Sequence, residues 1–273
     1  MNNNPLNKII LILSLPLSIL TIFVSYTGLF TPDFYSTETL NWQAQAMGQD
    51  IIDLFLVTPC LLVTSVLAYR NNRMATLIWG GVVLYLTYTF VLYSFDIHFN
   101  KLFVYYCLCL GLSFYSFLYF LFAYHNQNEE VYFENGSIIR TIGIYFLVIA
   151  ILFYALWLLE IVPAISQNIQ PKSVAETASL TNGVHVLDLS VVLPAIFITG
   201  IFLLRGKSFG FILAPVFLTF LALMDITIGA LTVVMKIKGV ESDLTLTAIM
   251  TAFALVSVLL LIRYFKNIKT IPG

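Results

Sequence analysis

Long apolar runs, separated by short polar breaks, recur from one end of the chain to the other. Each run is about 20 residues long, which as an α-helix spans the roughly 30 Å hydrocarbon core of a bilayer. The runs are continuous and do not alternate with a period of two residues, so they predict transmembrane helices and not the strands of a membrane barrel. They cover approximately residues 8–29, 46–69, 74–95, 101–124, 138–160, 183–204, 209–235 and 244–265.

The composition excludes a water-soluble domain. Of the 273 residues, 60% are hydrophobic and only 10% are charged, and the mean hydropathy is +0.94. A soluble fold of this length could not hide so much apolar surface in one core. We therefore predict an all-α polytopic membrane bundle of about eight transmembrane helices, with the lipid bilayer as a partner. A net charge of -1 without a basic stripe gives no indication of nucleic-acid binding.

The distribution of basic residues predicts the orientation of the chain, because Lys and Arg accumulate on the cytoplasmic side of a membrane. With the N-terminus inside, nine of the 13 Lys and Arg residues fall in cytoplasmic segments and four fall outside. Both termini are therefore predicted to be cytoplasmic. The first apolar run follows Lys8 without a convincing small-residue cleavage site, so it is interpreted as an uncleaved first helix.

One segment occurs twice in the chain. GQDIIDLFLVTP begins at Gly48 and GVHVLDLSVVLP begins at Gly183, 135 residues later. The same offset relates further residues in register, namely Asp53 to Asp188, Pro59 to Pro194, Thr64 to Thr199 and Arg70 to Arg205. This pattern favours a duplication, with halves 1–135 and 136–273 forming two parallel four-helix repeats of a single membrane domain. The alternative is that the prolines only kink two helices and the arginines only mark cytoplasmic helix ends.

Three stretches of the chain can be compared with known sequences: AQAMGQDIIDLFLVTP from Ala44, FDIHFNKLFVYY from Phe95 and SVAETASLTNGVHVLDLSVVLPA from Ser173. These stretches resemble segments of an uncharacterised family of bacterial multi-pass membrane proteins. The resemblance extends over most of the chain, and VHVLDL is its most specific part. It implies a location in the bacterial cytoplasmic (inner) membrane. It implies no activity, cofactor or catalytic residue.

Four ionisable residues occupy the repeated segments. Asp50 and Asp53 are three residues apart, as are His185 and Asp188, so each pair lies on one face of its helix. The offset places Asp50 opposite His185 and Asp53 opposite Asp188. We predict that these side chains converge about one to two helical turns below the outer surface. Gln49 lies beside them in the sequence.

Three interpretations of this cluster remain open from the sequence. The carboxylates could complement the positive N-termini of two helices and have only a structural role. They could couple protons or cations to transport, with the prolines interrupting the helices. They could also bind a divalent metal such as Zn, Mn or Fe, with ligands drawn from Asp50, Asp53, His185 and Asp188. Such a metal would activate water in a membrane hydrolase or would itself be transported.

Asp225 is a separate candidate in the middle of the seventh run, FLTFLALMDITIGALTV, where a lone charge can hardly face lipid. It is either a neutral, hydrogen-bonded packing residue or a mid-membrane relay group. Glu160, at the outer end of the fifth run, is a weaker candidate. His98 can reach the cluster only if the loop between the third and fourth runs folds inward.

The polar stretches before the second and sixth runs predict short surface helices. Ser173 and Glu176 fit an S-x-x-E capping box, and the stretch TETLNWQAQAM is its equivalent in the first half. These helices would cover the cluster as lids or support the chain at the membrane interface.

The absence of familiar catalytic motifs narrows the function. The sequence contains no P-loop, GxSxG elbow, HExxH or CxxC, which disfavours ATP hydrolysis, serine or zinc-protease chemistry and thiol redox chemistry. We expect a proton-coupled transporter or binding protein for a small solute or ion. The alternatives are a metal-dependent membrane enzyme and a structural or assembly subunit, so the sequence leaves open whether the protein is an enzyme.

Overall fold

The apolar runs of the sequence form the membrane-spanning helices of the structure. The structure is a computed structural model that describes residues 5–125, 131–133 and 136–270. Within these residues, eight helical spans are long and apolar enough to cross a membrane: Lys8–Phe30, Leu40–Tyr69, Arg73–Phe95, Phe103–Ala123, Gly136–Gln167, Gly183–Leu204, Ser208–Ile237 and Leu244–Asn267. The predicted all-α polytopic bundle is confirmed. Each predicted run overlaps one of these spans.

The second and sixth spans are the only described spans that combine α-helix with a π-helical turn. In chain order, the described α-helices are α1 (Pro5–Phe30), α2 (Leu40–Ile52), α3 (Thr58–Tyr69), α4 (Arg73–Phe95), α5 (Phe103–His125), α6 (Gly136–Gln167), α7 (Lys172–Thr177), α8 (Gly183–Leu187), α9 (Leu193–Leu204), α10 (Ser208–Ile237) and α11 (Leu244–Asn267). The first π-turn, Asp53–Val57, joins α2 to α3, and the second, Asp188–Val192, joins α8 to α9. Strands β1 (Val131–Phe133) and β2 (Ile268–Thr270) pair in antiparallel register.

A proline follows each π-turn. A proline inside a helix has no N–H and its ring collides with the carbonyl four residues earlier, which favours a change in the preceding turn. The proline is not sufficient by itself, because Pro16, Pro163 and Pro215 lie inside α1, α6 and α10 without a π-turn. Pro59 and Pro194 are the second residues of α3 and α9. The N–H groups of Thr58 and Leu193 bond five residues back, to the carbonyls of Asp53 and Asp188. In each span the helix continues through one wider, π-helical turn and is not broken. Asp53 begins this turn in the second span, and Asp188 begins it in the sixth.

Packing divides the described chain into two compact units. The first contains residues 5–125 and 215–265, and the second contains residues 131–133, 136–214 and 266–270. This division differs from the two halves predicted from the repeat, since most of the last two spans belong with the first unit. The repeat concerns the origin of the sequence, and it remains a prediction.

The first unit is built around α4, whose large side chains Trp79, Tyr85 and Phe90 are almost completely buried. Trp79 Nε1 donates to Ser14 Oγ at 2.7 Å, which links α4 to α1. Because lipid is as apolar as a helix surface, membrane helices associate through close packing and buried hydrogen bonds rather than through hydrophobic burial. The aromatic and hydroxyl side chains of α4 provide both.

Gly48 lets α10 approach α2 closely within the first unit. A Cβ atom built on Gly48 would lie 2.9 Å from Leu231 Cα, closer than side chains tolerate. One face of α10 also packs on α4, where the rings of Tyr88 and Phe220 meet edge to face with centroids 5.8 Å apart. This packing brings the polar residues of α2, α4 and α10 together.

The second unit is built on the contact between α6 and α9. Buried residues of α6 recur at helical spacing, with Ile142, Phe146 and Ile149 on one face. Ile196 and Leu203 are the corresponding buried residues of α9. Near the second π-turn, the Tyr154 hydroxyl donates to the carbonyl of Leu189 at 2.9 Å. The two spans are thus held together by apolar packing and by a partly buried hydrogen bond.

The predicted surface helices form in only one of the two halves. The helix α7 is present, but it begins after Pro171 without a side-chain cap, so the predicted capping box of Ser173 and Glu176 is wrong. In the first half, no separate helix forms. Thr39 caps α2 by accepting a hydrogen bond from Trp42 N at 3.2 Å, and α2 continues directly into the second span.

Candidate functional site

Asp50 lies in a closed set of hydroxyl donors inside the first unit. Its side chain is fully buried. Tyr35 donates to Asp50 Oδ2 at 2.7 Å, and Tyr93 donates to Oδ1 at 2.9 Å. Both carboxyl oxygens therefore have a neutral partner. Tyr35 belongs to the connection between the first two spans, and burial raises the pKa of its phenol well above the ordinary value, with the neighbouring Asp50 adding to the shift.

The Asp50 carboxyl occupies space that a side chain at Gly28 would fill. A Cβ built on Gly28 would overlap Asp50 Oδ2 and would lie 2.5 Å from the Tyr35 hydroxyl oxygen. Gly28 of α1 is therefore part of the wall against which this hydrogen-bonded group packs. The glycine explains how a carboxyl on α2 can be buried against α1 without separating the two helices.

Asp53 has a second, separate set of partners. Its Oδ1 accepts hydrogen bonds from Gln49 Nε2 at 3.0 Å and from the Tyr85 hydroxyl at 3.1 Å. The Tyr85 hydroxyl oxygen also lies 2.8 Å from Thr227 Oγ1 of α10. The predicted candidate Gln49 is thus in the site. The sequence offered no comparable signal for the tyrosines or for Thr227, because tyrosines are abundant in this chain and a threonine within a span is unremarkable.

The two neighbouring carboxyls are hydrogen-bonded to neutral donors. Tyrosine hydroxyls and a glutamine amide are their hydrogen-bond donors. In the part of the chain that the structure describes, no Lys, Arg or His forms an ion pair with either Asp50 or Asp53. We refer to Tyr35, Gln49, Asp50, Asp53, Tyr85, Tyr93 and Thr227 as the carboxyl–hydroxyl network.

A titratable pair fixes the loops beside this network. Glu38, in the same connection as Tyr35, is buried, and its Oε1 and Oε2 lie 2.8 Å from the backbone N and the Nδ1 of His98. The Trp42 indole donates to the carbonyl of Asp96 at 3.2 Å. His98 therefore contacts Glu38 and remains about half exposed. The importance of Glu38 was not evident in the sequence.

In the second unit, His185 and Asp188 are both grouped around Trp157 of α6. The Trp157 indole donates to Asp188 Oδ2 at 2.9 Å. The rings of Trp157 and His185 are in contact, with centroids 4.6 Å apart. The weaker candidate Glu160 also belongs here, because its Oε2 lies 3.7 Å from His185 Nε2 and its Oε1 accepts a hydrogen bond from Ser173 N at 2.8 Å. We call Trp157, Glu160, His185 and Asp188 the indole cluster.

Asp225 has no place in either group. Its side chain is buried, and its Oδ2 has no hydrogen-bond partner among the described residues. It is two residues from Thr227, which places the two side chains on roughly opposite faces of α10. A hydrogen bond to a neighbouring helix was one of the two roles predicted for Asp225, and Oδ2 makes none within the described chain.

The predicted metal site lacks support within either unit. Among the described residues, no three His, Cys, Asp or Glu side chains come together in a way that could hold a metal ion. In the first unit the carboxyl oxygens are bonded to neutral donors. The convergence of Asp50 and Asp53 with His185 and Asp188 remains a prediction, because the two pairs belong to different units.

The fold and its spans define a multi-pass integral membrane protein of the all-α class, carrying two buried carboxyls in its second span. The comparisons do not assign it further: no protein-family model, curated protein or solved structure matches this chain. The family resemblance seen in the sequence therefore remains an expectation. The function has to be argued from the two groups of residues described above.

Proposed function

We propose that the protein is a proton-coupled transporter of a small solute or ion, and that Asp50 and Asp53 are its proton-carrying groups. The observation that supports this proposal is the carboxyl–hydroxyl network, in which two buried carboxyls on one membrane span accept hydrogen bonds from neutral donors and, among the described residues, from no cation. Ionisable residues at membrane depth are costly to bury, and proteins use them for ion pathways and proton relays.

The chemistry of the network suits protons better than metal ions. A carboxyl can give or accept one proton, and a tyrosine hydroxyl can donate to one oxygen while accepting from another group. Tyr85, which contacts both Asp53 and Thr227, is positioned for this dual role. A metal-dependent enzyme, the alternative considered from the sequence, would need a set of ligands that the described residues of neither unit provide.

The π-turns support a moving role for these helices. A π-turn is less regular than an α-helix and is frequent at functional sites. Asp53 begins the first π-turn, and Thr58 Oγ1 donates to its backbone carbonyl at 2.7 Å. A shift of this turn toward α-helical geometry would rotate Asp53 relative to Tyr85. The proposed cycle therefore couples the protonation of Asp53 to the shape of its own helix.

The experiment that tests this function measures charge movement. Purified protein is reconstituted into liposomes on a solid-supported membrane, and a step from neutral to mildly acidic pH is applied. The wild type is expected to give a transient current from proton uptake. Asp50→Asn and Asp53→Asn are expected to reduce the current by about tenfold, because an amide cannot be protonated in this range. Asp33→Asn, at an exposed loop position, is the matched control.

A wild-type current that persists in both folded variants would reject the proposal. The carboxyls would then hold the helices together without carrying protons, as in the structural role considered from the sequence. Retained folding is checked by the unfolding midpoint of each variant in detergent. Asparagine preserves the size of the side chain and one acceptor oxygen, so the comparison isolates the protonatable group.

The proposed location is the bacterial cytoplasmic membrane, with both termini in the cytoplasm. An even number of spans places both ends of the described chain on one side, and the excess of Lys and Arg assigns that side. In a background in which the native cysteines are replaced, Leu180→Cys should react with an impermeant maleimide from outside whole cells. Lys207→Cys should react only after permeabilisation, and the opposite pattern would reverse the orientation.

A further inference from the structure

The indole cluster differs from the surroundings of Asp50 in two ways: some of its polar atoms have no hydrogen-bond partner among the described residues, and it is partly exposed to solvent. Asp50 has a hydroxyl donor on each oxygen and is fully buried. Glu160, in contrast, retains 28% side-chain exposure. Its Oε1 accepts a hydrogen bond from Ser173 N, whereas its Oε2 lies 3.7 Å from His185 Nε2 and accepts no hydrogen bond from the described residues. Each group lies beside a π-turn, and in the indole cluster the acceptor Glu160 Oε2 belongs to a side chain that is partly exposed and can be reached by a ligand.

His185 supplies an independent sign that something is missing from this cluster. Its side chain is more than nine-tenths buried, and Nε2 has no hydrogen-bond partner among the described residues. A distance of 3.7 Å to Glu160 Oε2 is too long for a hydrogen bond. A buried polar atom without a partner costs about 1–3 kcal/mol. A ligand that contacts both Nε2 and Glu160 Oε2 would remove this cost.

The available atoms define the chemistry of that ligand. In the tautomer with its proton on Nδ1, His185 Nε2 is an acceptor, and Glu160 Oε2 is an acceptor in its ionised form. The ligand must therefore donate hydrogen bonds. The cluster carries two carboxyl groups: Asp188 accepts a hydrogen bond from the Trp157 indole, and Glu160 lies 3.7 Å from His185, whose ring contacts Trp157. Tryptophan is the strongest of the aromatic side chains in binding cations. A donor that is also a cation is a protonated amine.

We propose that the indole cluster binds a small organic ammonium ion, with Glu160 and His185 as hydrogen-bond acceptors and Trp157 as the aromatic contact. Asp188 orients Trp157 through the indole N–H and adds negative charge. A protonated primary or secondary amine meets these requirements. A quaternary ammonium ion has no N–H to donate and would bind more weakly.

The same geometry makes protons and amines compete for Glu160. A protonated His185 carries its own N–H on Nε2 and would pair with Glu160 in place of the ligand. Asp188 on the same span is the other carboxyl of the cluster. The charged pair Lys172–Glu176 of α7 is exposed to solvent, with its partners 3.4 Å apart. Competition of this kind is what exchange of an amine for a proton requires. This part of the inference rests on the proposed transport function.

Binding is tested by titration calorimetry of the purified full-length protein in mild detergent at neutral pH. The probes are benzylammonium and benzyl alcohol, which have similar size and differ in charge and donor number. Benzylammonium is expected to bind about tenfold or more tightly than the alcohol. Glu160→Gln is expected to weaken benzylammonium binding by about tenfold, because the amide lacks the charge and offers only one acceptor oxygen.

Glu176→Gln is the matched control, since Glu176 is an exposed glutamate on α7 that pairs with Lys172. It should bind benzylammonium as the wild type does. Equal binding of the amine and the alcohol, or a folded Glu160→Gln variant with unchanged affinity, would overturn the inference. Trp157→Phe provides a second test, because it keeps an aromatic ring that binds cations less strongly and should weaken the amine more than the alcohol.

The binding assay and the charge-movement assay can reject the ammonium site and the transport function separately. Amine binding without a pH-driven current would retain the ammonium site and reject proton-coupled transport. A current abolished by Asp50→Asn, together with no preference for the amine, would retain the transport proposal and reject the ammonium site. When both hold, adding benzylammonium should alter the current of the wild type and leave that of Glu160→Gln unchanged.

Discussion

The substitution Gly28→Ala tests the most crowded point of the carboxyl–hydroxyl network. The added methyl group would overlap Asp50 Oδ2 and lie 2.5 Å from the Tyr35 hydroxyl oxygen. Neither atom can remain in place, so the 2.7 Å hydrogen bond between Tyr35 and Asp50 must break or lengthen. Leaving a buried acceptor without its donor costs about 1–3 kcal/mol.

An opposing effect has to be subtracted from this cost. Alanine is favoured over glycine inside a helix by roughly 0.5–1 kcal/mol. The expected net loss for Gly28→Ala is therefore about 0–2.5 kcal/mol of unfolding free energy relative to wild type, and about 1–3 kcal/mol relative to a control that gains the same helix preference. Gly111→Ala, in α5, is the matched control because a Cβ there has no atom within 4 Å. This control should gain the roughly 0.5–1 kcal/mol by which a helix favours alanine over glycine, without any steric clash.

The measurement is reversible unfolding of each variant in mixed micelles. A Gly28→Ala variant as stable as Gly111→Ala would refute the placement of Asp50 against α1. A double-mutant cycle sharpens the result, since in an Asp50→Ala background the methyl group of Gly28→Ala would meet no carboxyl. The two substitutions should then show a coupling free energy of about 1 kcal/mol or more.

Three further predictions follow from the same region. Burial raises the pKa of Tyr35, so its neutral form stabilises the folded state fully below the pKa of the unfolded chain, about 10, and this contribution falls as the pH rises further. The difference in unfolding free energy between wild type and Tyr35→Phe should therefore shrink above pH about 10, by up to about 1.4 kcal/mol per pH unit. Unfolding experiments at alkaline pH measure this difference, and a value that stays constant would contradict a buried Tyr35. Tyr85→Phe should lower the free energy of unfolding by about 1–3 kcal/mol, because Asp53 and Thr227 lose a shared hydrogen-bond partner. In the same denaturation assay, Tyr115→Phe, at a largely exposed position, should change this free energy little. His98→Ala should lower the free energy of unfolding by about 1–2 kcal/mol, because the buried Glu38 carboxyl loses its contact with the imidazole and retains the one with the backbone N–H of residue 98. An unchanged thermal unfolding midpoint would show that the imidazole is dispensable.

The spans were predictable because membrane crossing is a local property of the sequence. An apolar run of sufficient length must satisfy its backbone within itself, so hydropathy alone locates the helices. The prolines also had a foreseeable effect. Pro59 and Pro194 were expected to distort their helices, and the structure shows π-turns in front of both. Distortion could be predicted from the missing N–H, but its geometry could not.

The partners of the acidic residues were not predictable in the same way. Asp50 bonds to Tyr35 and Tyr93, which are 15 and 43 residues away in the sequence. Their identity depends on how helices rotate against one another, which hydropathy does not encode. With 15 tyrosines in the chain, no single one stood out. The capping box failed for a local reason, because Pro171 fixes the start of α7 ahead of Ser173.

The discontinuity of the first compact unit has a consequence for the order of assembly. Residues 215–265 complete a unit whose other part, residues 5–125, is synthesised first. The seventh span must therefore reach the membrane before Tyr85 can meet Thr227 and before Leu231 can pack against Gly48. Until then, polar groups of α2 and α4 lie in the bilayer without their final hydrogen-bond and packing partners. A chain interrupted before α10 would lack Thr227 and Leu231, and would leave the Tyr85 hydroxyl and the face of α2 at Gly48 without these contacts.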